Sequence, residues 1–451
     1  MWAGIQHTSQ QPSCSMSSSE QQRSKAKAHG PTVNAIKRAK YEAKQEHRRQ
    51  ALVPQCAAQP PWKSWFIGRE EYAAYVTVDD VRYIRQLLLG GPVAPGIDDE
   101  KNLRLRCITE WIAPFFDLKE KSNASTDDEQ IFISEGTEAV RMMIQRCETV
   151  CSGSPAPSTR NDTISPPPIR LLSILSKPAT FFDYPTKLMV DIEKRMGGST
   201  IPNPSFKIVI ANEDALSEIA GFPIARGAMA CAVIPSYMQR NGYAWLTSLF
   251  ADTGQQQPII RRILALDAVS NAANMGSIIR TAAAFSIDAI ILSDDSCDAW
   301  YRQSVRTSMG HVISVPIIRV ADWGRGFSNA ADRDDDAKRN GLASCLRWLR
   351  ERMNVECFAA VVDDDDVIDN SKASSRTCFP PLVSLDSALD ISCRSWCCVL
   401  GNEGHGIRDD VVRECDKRLK IRMASGVDSL SLPIAAGILM YGLSHYPRGK
   451  Y

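Results

Sequence analysis

The chain has 451 residues, with 53 basic and 52 acidic side chains, a formal net charge of +1 and 44% hydrophobic residues, a length that suggests two domains plus tails with sizeable cores. No run approaches the roughly 18–20 apolar residues of a membrane span, which argues against one. Fourteen cysteines without a paired framework point to a reducing compartment, and Cys231, Cys357, Cys397 and Cys398 stand in apolar surroundings that suit small core residues.

Residues 1–61 read as a disordered basic tail. Between Arg23 and Arg49 nine Lys or Arg face Glu42 and Glu46, which fits either an electrostatic arm for a polyanion or a solvated tail. The Ser-, Gln- and Lys-rich start also fits an organellar transit peptide, so the compartment stays open between cytoplasm and organelle. From Trp62 the composition becomes globular. Helices are expected over 81–89 and 104–116, a buried strand over 130–134 and a helix over 137–147. Residues 152–168 are a Ser/Pro-rich loop. Beyond it come a strand at 169–175, a helix near 185–196, a strand at 207–210 and a further element at 215–219. This alternation predicts a smaller α/β domain over 62–250.

The strongest pattern begins at Ile263. A strand at 263–269, a polar turn, a helix from Met275 and a strand at 289–292 make a strand–helix–strand unit of a parallel sheet, with ligands expected at the carboxyl ends of its strands. Asn274, Gly276 and Arg280 are assigned to that end. Residues 298–311 read as a helix that carries Arg302 and Arg306 one turn apart, suited to phosphates or equally to a solvated face. No metal site is expected, because Cys147, Cys151, Cys393, Cys397 and Cys398 form no CxxC pair or histidine cluster. The acidic stretches at 332–336 and 363–366 read as solvated insertions.

Three ordered segments carry a resemblance: Asn274-Met275-Gly276-Ser277-Ile278-Ile279-Arg280, Leu400-Gly401-Asn402-Glu403-Gly404-His405-Gly406, and Ile421-Arg422-Met423 running into 427–437. Together they resemble the SpoU (TrmH) family of RNA ribose 2′-O-methyltransferases in the SPOUT superfamily, over about 258–446. The segments 131–136 and 221–227 are similar to the substrate-binding domain that precedes the catalytic domain in many members, with Glu135 and Arg226 as RNA contacts or structural groups.

The resemblance implies an α/β fold in which a smaller RNA-binding domain precedes a trefoil-knotted SPOUT domain with a parallel sheet. It also implies an S-adenosyl-L-methionine cofactor, an rRNA or tRNA substrate and a homodimer. Carried over by position, Arg280, Asn274 and Glu403 are catalytic candidates. Leu400, Gly401, Ile421, Met423, Ser429, Leu430 and Ser431 are cofactor candidates, and Arg302 and Arg306 are RNA candidates. Ser431 stands where the family usually has Asn. A dinucleotide fingerprint is rejected, because 401–406 reads GxxGxG. The competing classes are a catalytically weak RNA-binding factor of the same fold and an unrelated nucleotide-binding enzyme.

Overall fold

The computed structural model describes residues 69–71, 73–89, 99–116, 125–126, 129–147, 168–182, 188, 191–192, 206–222, 227–235, 242–250, 260–320, 341–362, 379–386, 395–427 and 429–445. The basic segment 23–49, the acidic stretches, Arg226, most of the 185–196 helix and the loop 152–167 lie outside these residues.

The first sheet is mixed. It contains β1 (Ala73–Val76), β2 (Ser125–Thr126), β3 (Glu129–Glu135), β4 (Leu171–Ser176), β5 (Lys207–Ala211) and β6 (Ala228–Val233), in the order β1-β5-β4-β6-β3-β2. Strands β1, β5 and β4 pair parallel, whereas β6 is antiparallel to both β4 and β3. Successive side chains of a strand point to opposite faces. Ile131 and Ile133 thus join one core with α1 (Val78–Leu88), α2 (Asp99–Ile112) and α5 (Glu213–Ala220), while Phe132 joins the other with α3 (Thr137–Arg146) and α4 (Pro178–Phe182). Helix α2 starts five residues before the sequence reading placed it and gives way to a 3-10 turn at Ala113–Phe115, where Pro114 cannot continue the helical ladder.

The second sheet is parallel throughout its described pairings. It holds β7 (Arg262–Leu266), β8 (Ala289–Leu292), β9 (Ile317–Arg319), β10 (Glu356–Ala360), β11 (Leu382–Ser384), β12 (Trp396–Leu400) and β13 (Lys417–Lys420), in the order β11-β13-β10-β12-β7-β8-β9. Strands covered on both faces need continuous apolar sequence, and Arg-Ile-Leu-Ala-Leu, Ala-Ile-Ile-Leu and Trp-Cys-Cys-Val-Leu supply it. Cys231, Cys357, Cys397 and Cys398 are buried core residues, and burial pushes the Cys231 and Cys398 thiols up to about 12.

One face of this sheet packs on α7 (Ala272–Ala284), α8 (Arg302–Thr307) and α11 (Leu432–His445). The other packs on α6 (Gly242–Ser248), α9 (Gly341–Met353) and α10 (Asp409–Arg413). Leu246 and Leu249 belong to that second core, so α6 packs with the second sheet and not with the strands before it.

The sequence reading and the structure differ at α8. Only Arg302–Thr307 is helical within 298–311, because the Asp298 carboxylate accepts from the Trp300 N–H in a local turn and Gly310 turns the chain at φ 83° into a 3-10 turn, His311–Ile313. The two sheets share one apolar layer through this segment. The Phe132 and Trp300 rings lie 4.7 Å apart, and a Cβ at Gly310 would sit 3.1 Å from Ala139.

Candidate active site

Four loops leave the carboxyl ends of β7, β8, β12 and β13 on one edge of the parallel sheet, the edge where open α/β sheets place ligands. Strand β7 ends at Leu266 and the chain turns through Ala268 at φ 55°. Asn271 then caps α7, its side-chain oxygen accepting from the N–H groups of Ala273 and Asn274. The cap starts the helix at Ala272, three residues before the apolar period becomes visible at Met275. Gly276 is fixed by close packing, since a Cβ there would lie 2.4 Å from the Ser304 carbonyl oxygen of α8.

The first two motifs meet directly. Asn274 Nδ2 donates to Glu403 Oε1 at 2.9 Å, and the Ser270 hydroxyl stands 3.4 Å from Oε2. Burial raises the Glu403 carboxyl, but hydrogen bonds from Asn274 and from backbone N–H groups at Glu403, Ser270 and Asn271 outweigh it and hold the group below its ordinary value. Glu403 is therefore a fixed anion at neutral pH and a poor proton acceptor.

The loop after β12 is folded on itself. Asn402 and Gly406 exchange backbone hydrogen bonds at 2.9 and 3.0 Å, the Asn402 carboxamide oxygen accepts from Gly404 and His405, and Asn402 Nδ2 donates to the Ala268 carbonyl at 2.7 Å. The backbone that approaches Gly401 is its own loop, with a Cβ falling 2.2 Å from the Gly406 carbonyl carbon. Leu400 is buried, and its carbonyl accepts from the Asp267 N–H.

Asp267 and Arg408 were missed from sequence, although they hold this loop to β7. The Asp267 side chain is fully buried and accepts from the Arg408 backbone N–H at 2.9 Å, from Nε at 2.9 Å and from Nη2, while Arg408 Nη1 reaches Asp295 at 3.2 Å. They are 141 residues apart, and no local pattern announces such a pair. The loop after β8 is fastened by Arg319, whose guanidinium donates to the carbonyls of Ser293, Asp294, Ser296 and Cys297.

The third motif is more open. Ile421 and Met423 are half-buried just past the end of the β13 ladder, Ser429 and Ser431 are exposed, and Leu430 is half-buried. The Ser431 carbonyl accepts from Ile434 and Ala435 as α11 begins. Helix α11 lies against α7, which brings the segment to the flank of the first motif; the Phe285 and Tyr441 rings meet edge-on at 6.2 Å.

Arg280 is not at the strand-end loop. It lies eight residues into α7, about 12 Å along the axis at 1.5 Å per residue, and is exposed. No contact with Asn274 or Glu403 joins it to them among the described residues. Arg302 and Arg306 face the first sheet: Arg302 Nη1 is 4.0 Å from Glu135 Oε2 with its guanidinium 4.6 Å from the Phe222 ring centroid, and Arg306 is 3.9 Å from the same oxygen. Glu135 thus contributes to the contact between the two sheets' layers. Among the described residues no cluster of three or more His, Cys, Asp or Glu is arranged to hold a metal, and no helix is long and apolar enough to cross a membrane.

A family model described as the SpoU rRNA Methylase family matches residues 261–337 and 337–441. The chain is similar to an uncharacterised tRNA/rRNA methyltransferase of Mycobacterium tuberculosis, 26% identical over 51% of this chain and 64% of that protein. It is similar also to a 23S rRNA (guanosine(2553)-2′-O)-methyltransferase of Bacillus subtilis, 24% identical over 41% of this chain and 58% of that protein. The match thus spans less than two-thirds of the length of these relatives. A solved rRNA methyltransferase from Sinorhizobium meliloti, crystallised with AdoMet, aligns with 82% of this chain and 97% of its own at 18% identity and a TM-score of 0.42. All three motifs of the resemblance lie inside the matched segments, and Asn274 and Glu403 join the first two, so it is residues 261–441 of this chain that are similar to the SpoU rRNA Methylase family.

Proposed function

We propose that this protein is an S-adenosyl-L-methionine-dependent methyltransferase that modifies a ribose 2′-hydroxyl in rRNA or tRNA. The observation that carries the reading is the Asn274–Glu403 hydrogen bond, which fixes the first motif against the glycine-bearing loop of the second on the ligand edge of a parallel sheet.

The residues present fit the cofactor. Ile421, Met423 and Leu430 offer half-buried apolar surface, Ser429 and Ser431 offer hydroxyls, and Gly406 and Gly426 present faces where a Cβ would meet nothing within 4 Å. When bound, S-adenosyl-L-methionine supplies an electrophilic methyl group on a sulfonium. The protein's part is alignment and the bearing of charge on the ribose oxygen as that oxygen takes the methyl and loses its proton. Arg280 suits the second task. A guanidinium stays protonated, so it stabilises the developing alkoxide and does not remove the proton. Asn274 and Glu403 hold the loop that faces the cofactor. Arg306, 44% exposed, keeps donors toward solvent for an RNA phosphate, whereas Arg302 is committed to Phe222 and Glu135.

Helix α11 leaves Ile434, Ile438 and Tyr441 exposed at i, i+4 and i+7, one apolar stripe that supports a second copy of this chain as partner. Calorimetry should detect one S-adenosyl-L-methionine per chain, sedimentation should give a dimer, and transfer of labelled methyl to rRNA or tRNA should produce an alkali-resistant 2′-O-methyl nucleotide. Binding of cofactor and RNA without transfer would replace the enzyme with an RNA-binding factor of the same fold. Binding of NAD or ATP in place of S-adenosyl-L-methionine would remove the reading.

A further inference from the structure

Strands β1, β5, β4 and β3 of the first sheet run in one direction, because β6 is antiparallel to both β4 and β3. Their carboxyl ends therefore share one edge, and Glu135 is the last residue of β3. Helix α8 follows the loop from the carboxyl end of β8 and lies over the end of β3. The edges on which parallel strands receive ligands thus meet, one from each sheet, across this short helix.

Both sides of the meeting are fixed. Glu135 pairs with Met229 of β6, and the N–H of Gly136 after it donates to the Ala228 carbonyl at 2.9 Å. On α8 the buried Ser304 hydroxyl donates to the Ala272 carbonyl at 3.0 Å, at the start of α7, and the Ser304 carbonyl oxygen packs on Gly276. Arg302 and Arg306 therefore stand on a helix anchored to the first motif.

The Glu135 side chain is 7% exposed, and its Oε2 lies 4.0 Å from Arg302 Nη1 and 3.9 Å from Arg306 Nη1. Both separations exceed hydrogen-bond length, so the carboxylate attracts the two guanidiniums without using their donors. In keeping with this, neither Oε2 nor Arg302 Nη1 has a hydrogen-bond partner. The two arginines differ in what else they meet. Arg302 is 25% exposed with its guanidinium 4.6 Å from the Phe222 ring centroid, so it stays inside and balances the buried carboxylate. Arg306 is 44% exposed and carries its charge to the surface. Two arginines one helical turn apart repel each other, and the shared carboxylate is what keeps Arg306 beside Arg302.

We propose that Glu135 is a positioning residue for RNA: its buried carboxylate aims Arg306 at a backbone phosphate where RNA crosses from the edge of the first sheet to the ligand edge of the second. The inference rests on the RNA reading above and adds to it the group that presets a phosphate contact. Arg306 gains its bond to phosphate without breaking one to Glu135, and the rotamer freedom of its long side chain is restricted before RNA arrives.

The sign of the effect separates this role from a simple field. As a bare negative charge beside a polyanion Glu135 opposes binding, and removing it would tighten the complex. As a positioning group it favours binding, and displacing it weakens the complex. The test is anisotropy of a fluorescent oligouridylate on the full chain over a range of salt. Arg306→Gln should weaken binding and reduce the salt slope by about one phosphate contact. Glu135→Asp keeps the charge but withdraws the carboxylate by one methylene. It should weaken binding by about threefold to about thirtyfold, the upper figure being the roughly 2 kcal/mol of arginine rotamer entropy expressed as affinity. Glu135→Gln keeps the shape without the charge and should also weaken binding. In an Arg306→Gln background, Glu135→Asp should have no further effect on RNA affinity. With total tRNA and rRNA as methyl acceptors, Glu135→Asp should raise the KM for RNA while kcat and S-adenosyl-L-methionine affinity stay near wild type.

Thermal melting establishes which variants are folded, and Glu135→Asp retains the buried charge, so the test stands even where Glu135→Gln leaves Arg302 unpaired and unfolds. Unchanged or tighter RNA binding by folded Glu135→Asp or Glu135→Gln overturns the positioning role and leaves the RNA reading intact. So does a loss in Glu135→Asp that persists undiminished in the Arg306→Gln background. Failure of the wild-type chain to bind RNA at any salt concentration, with no methyl transfer, removes both.

Discussion

Arg280→Ala is expected to lower the single-turnover methyl-transfer rate by about 10²- to 10³-fold at saturating cofactor and RNA, the scale on which one preorganised stabiliser of developing charge is removed. The fold should survive, because Arg280 is exposed on α7 and the helix is held by Met275, Ile278, Ile279 and Ala282 on its buried face. Cofactor affinity should also survive, because the side chain makes no contact with the loops after β12 and β13 among the described residues. Arg280→Lys keeps the charge but loses the planar fork, so it should restore the rate only in part. Ser431→Asn is the control. Ser431 is exposed, so the larger side chain is accommodated and activity should stay equal or rise. An Arg280→Ala protein that transfers methyl at the wild-type rate would show that the alkoxide is stabilised elsewhere.

Gly401→Ala should be the most damaging single methyl group that can be added to the site. Its Cβ would fall 2.2 Å from the Gly406 carbonyl carbon and 2.4 Å from both the Gly406 oxygen and the Ile407 nitrogen. All three are backbone atoms, so no rotamer change relieves the clash and the loop must open. Opening it breaks the Asn402–Gly406 pairing and draws Glu403 away from Asn274. We expect a fall in S-adenosyl-L-methionine affinity of at least about tenfold and a stability cost of about 1–3 kcal/mol, the range for overpacked positions. Gly404→Ala has its nearest neighbour at 3.5 Å, the Asn402 side-chain oxygen, and should bind cofactor normally. Calorimetry and thermal melting of the two variants side by side make the comparison, and equal affinities would show that the loop's shape does not set the pocket.

Much of this architecture is legible in the chain because its signals are local. The apolar runs of β7, β8 and β12 and the period of α7 are each read within a dozen residues, and the motifs at 274–280 and 400–406 mark the loops that prove to touch. Pairings across the fold are not local. Nothing in the segment around Arg408 says that its guanidinium will neutralise Asp267, and nothing around Gly401 says that Gly406 will occupy the space a side chain needs. Capping chemistry moves the helix boundaries as well. Asn271 starts α7 three residues before the apolar period, and the Asp298 turn with Gly310 shortens α8 where the pattern alone suggests fourteen helical residues. The two arginines of α8 illustrate a further limit, since i, i+4 spacing gives a shared face but not what that face meets, here Glu135 and Phe222.

The apolar layer shared by the two sheets governs how the protein comes apart. Phe132, Val140 and Met143 from the first sheet's side belong to the same buried cluster as Trp300, Ile278 and Leu400 from the second. Removing everything before residue 258 would strip Trp300 of its ring partner and leave the faces of α8 and the 3-10 turn in water, so the second sheet with its helices alone should be less soluble and less stable than the whole. Heating should likewise melt residues 69–445 in one calorimetric transition instead of two. The two layers then share a single folding cooperativity, and a lesion deep in either one lowers the population of both.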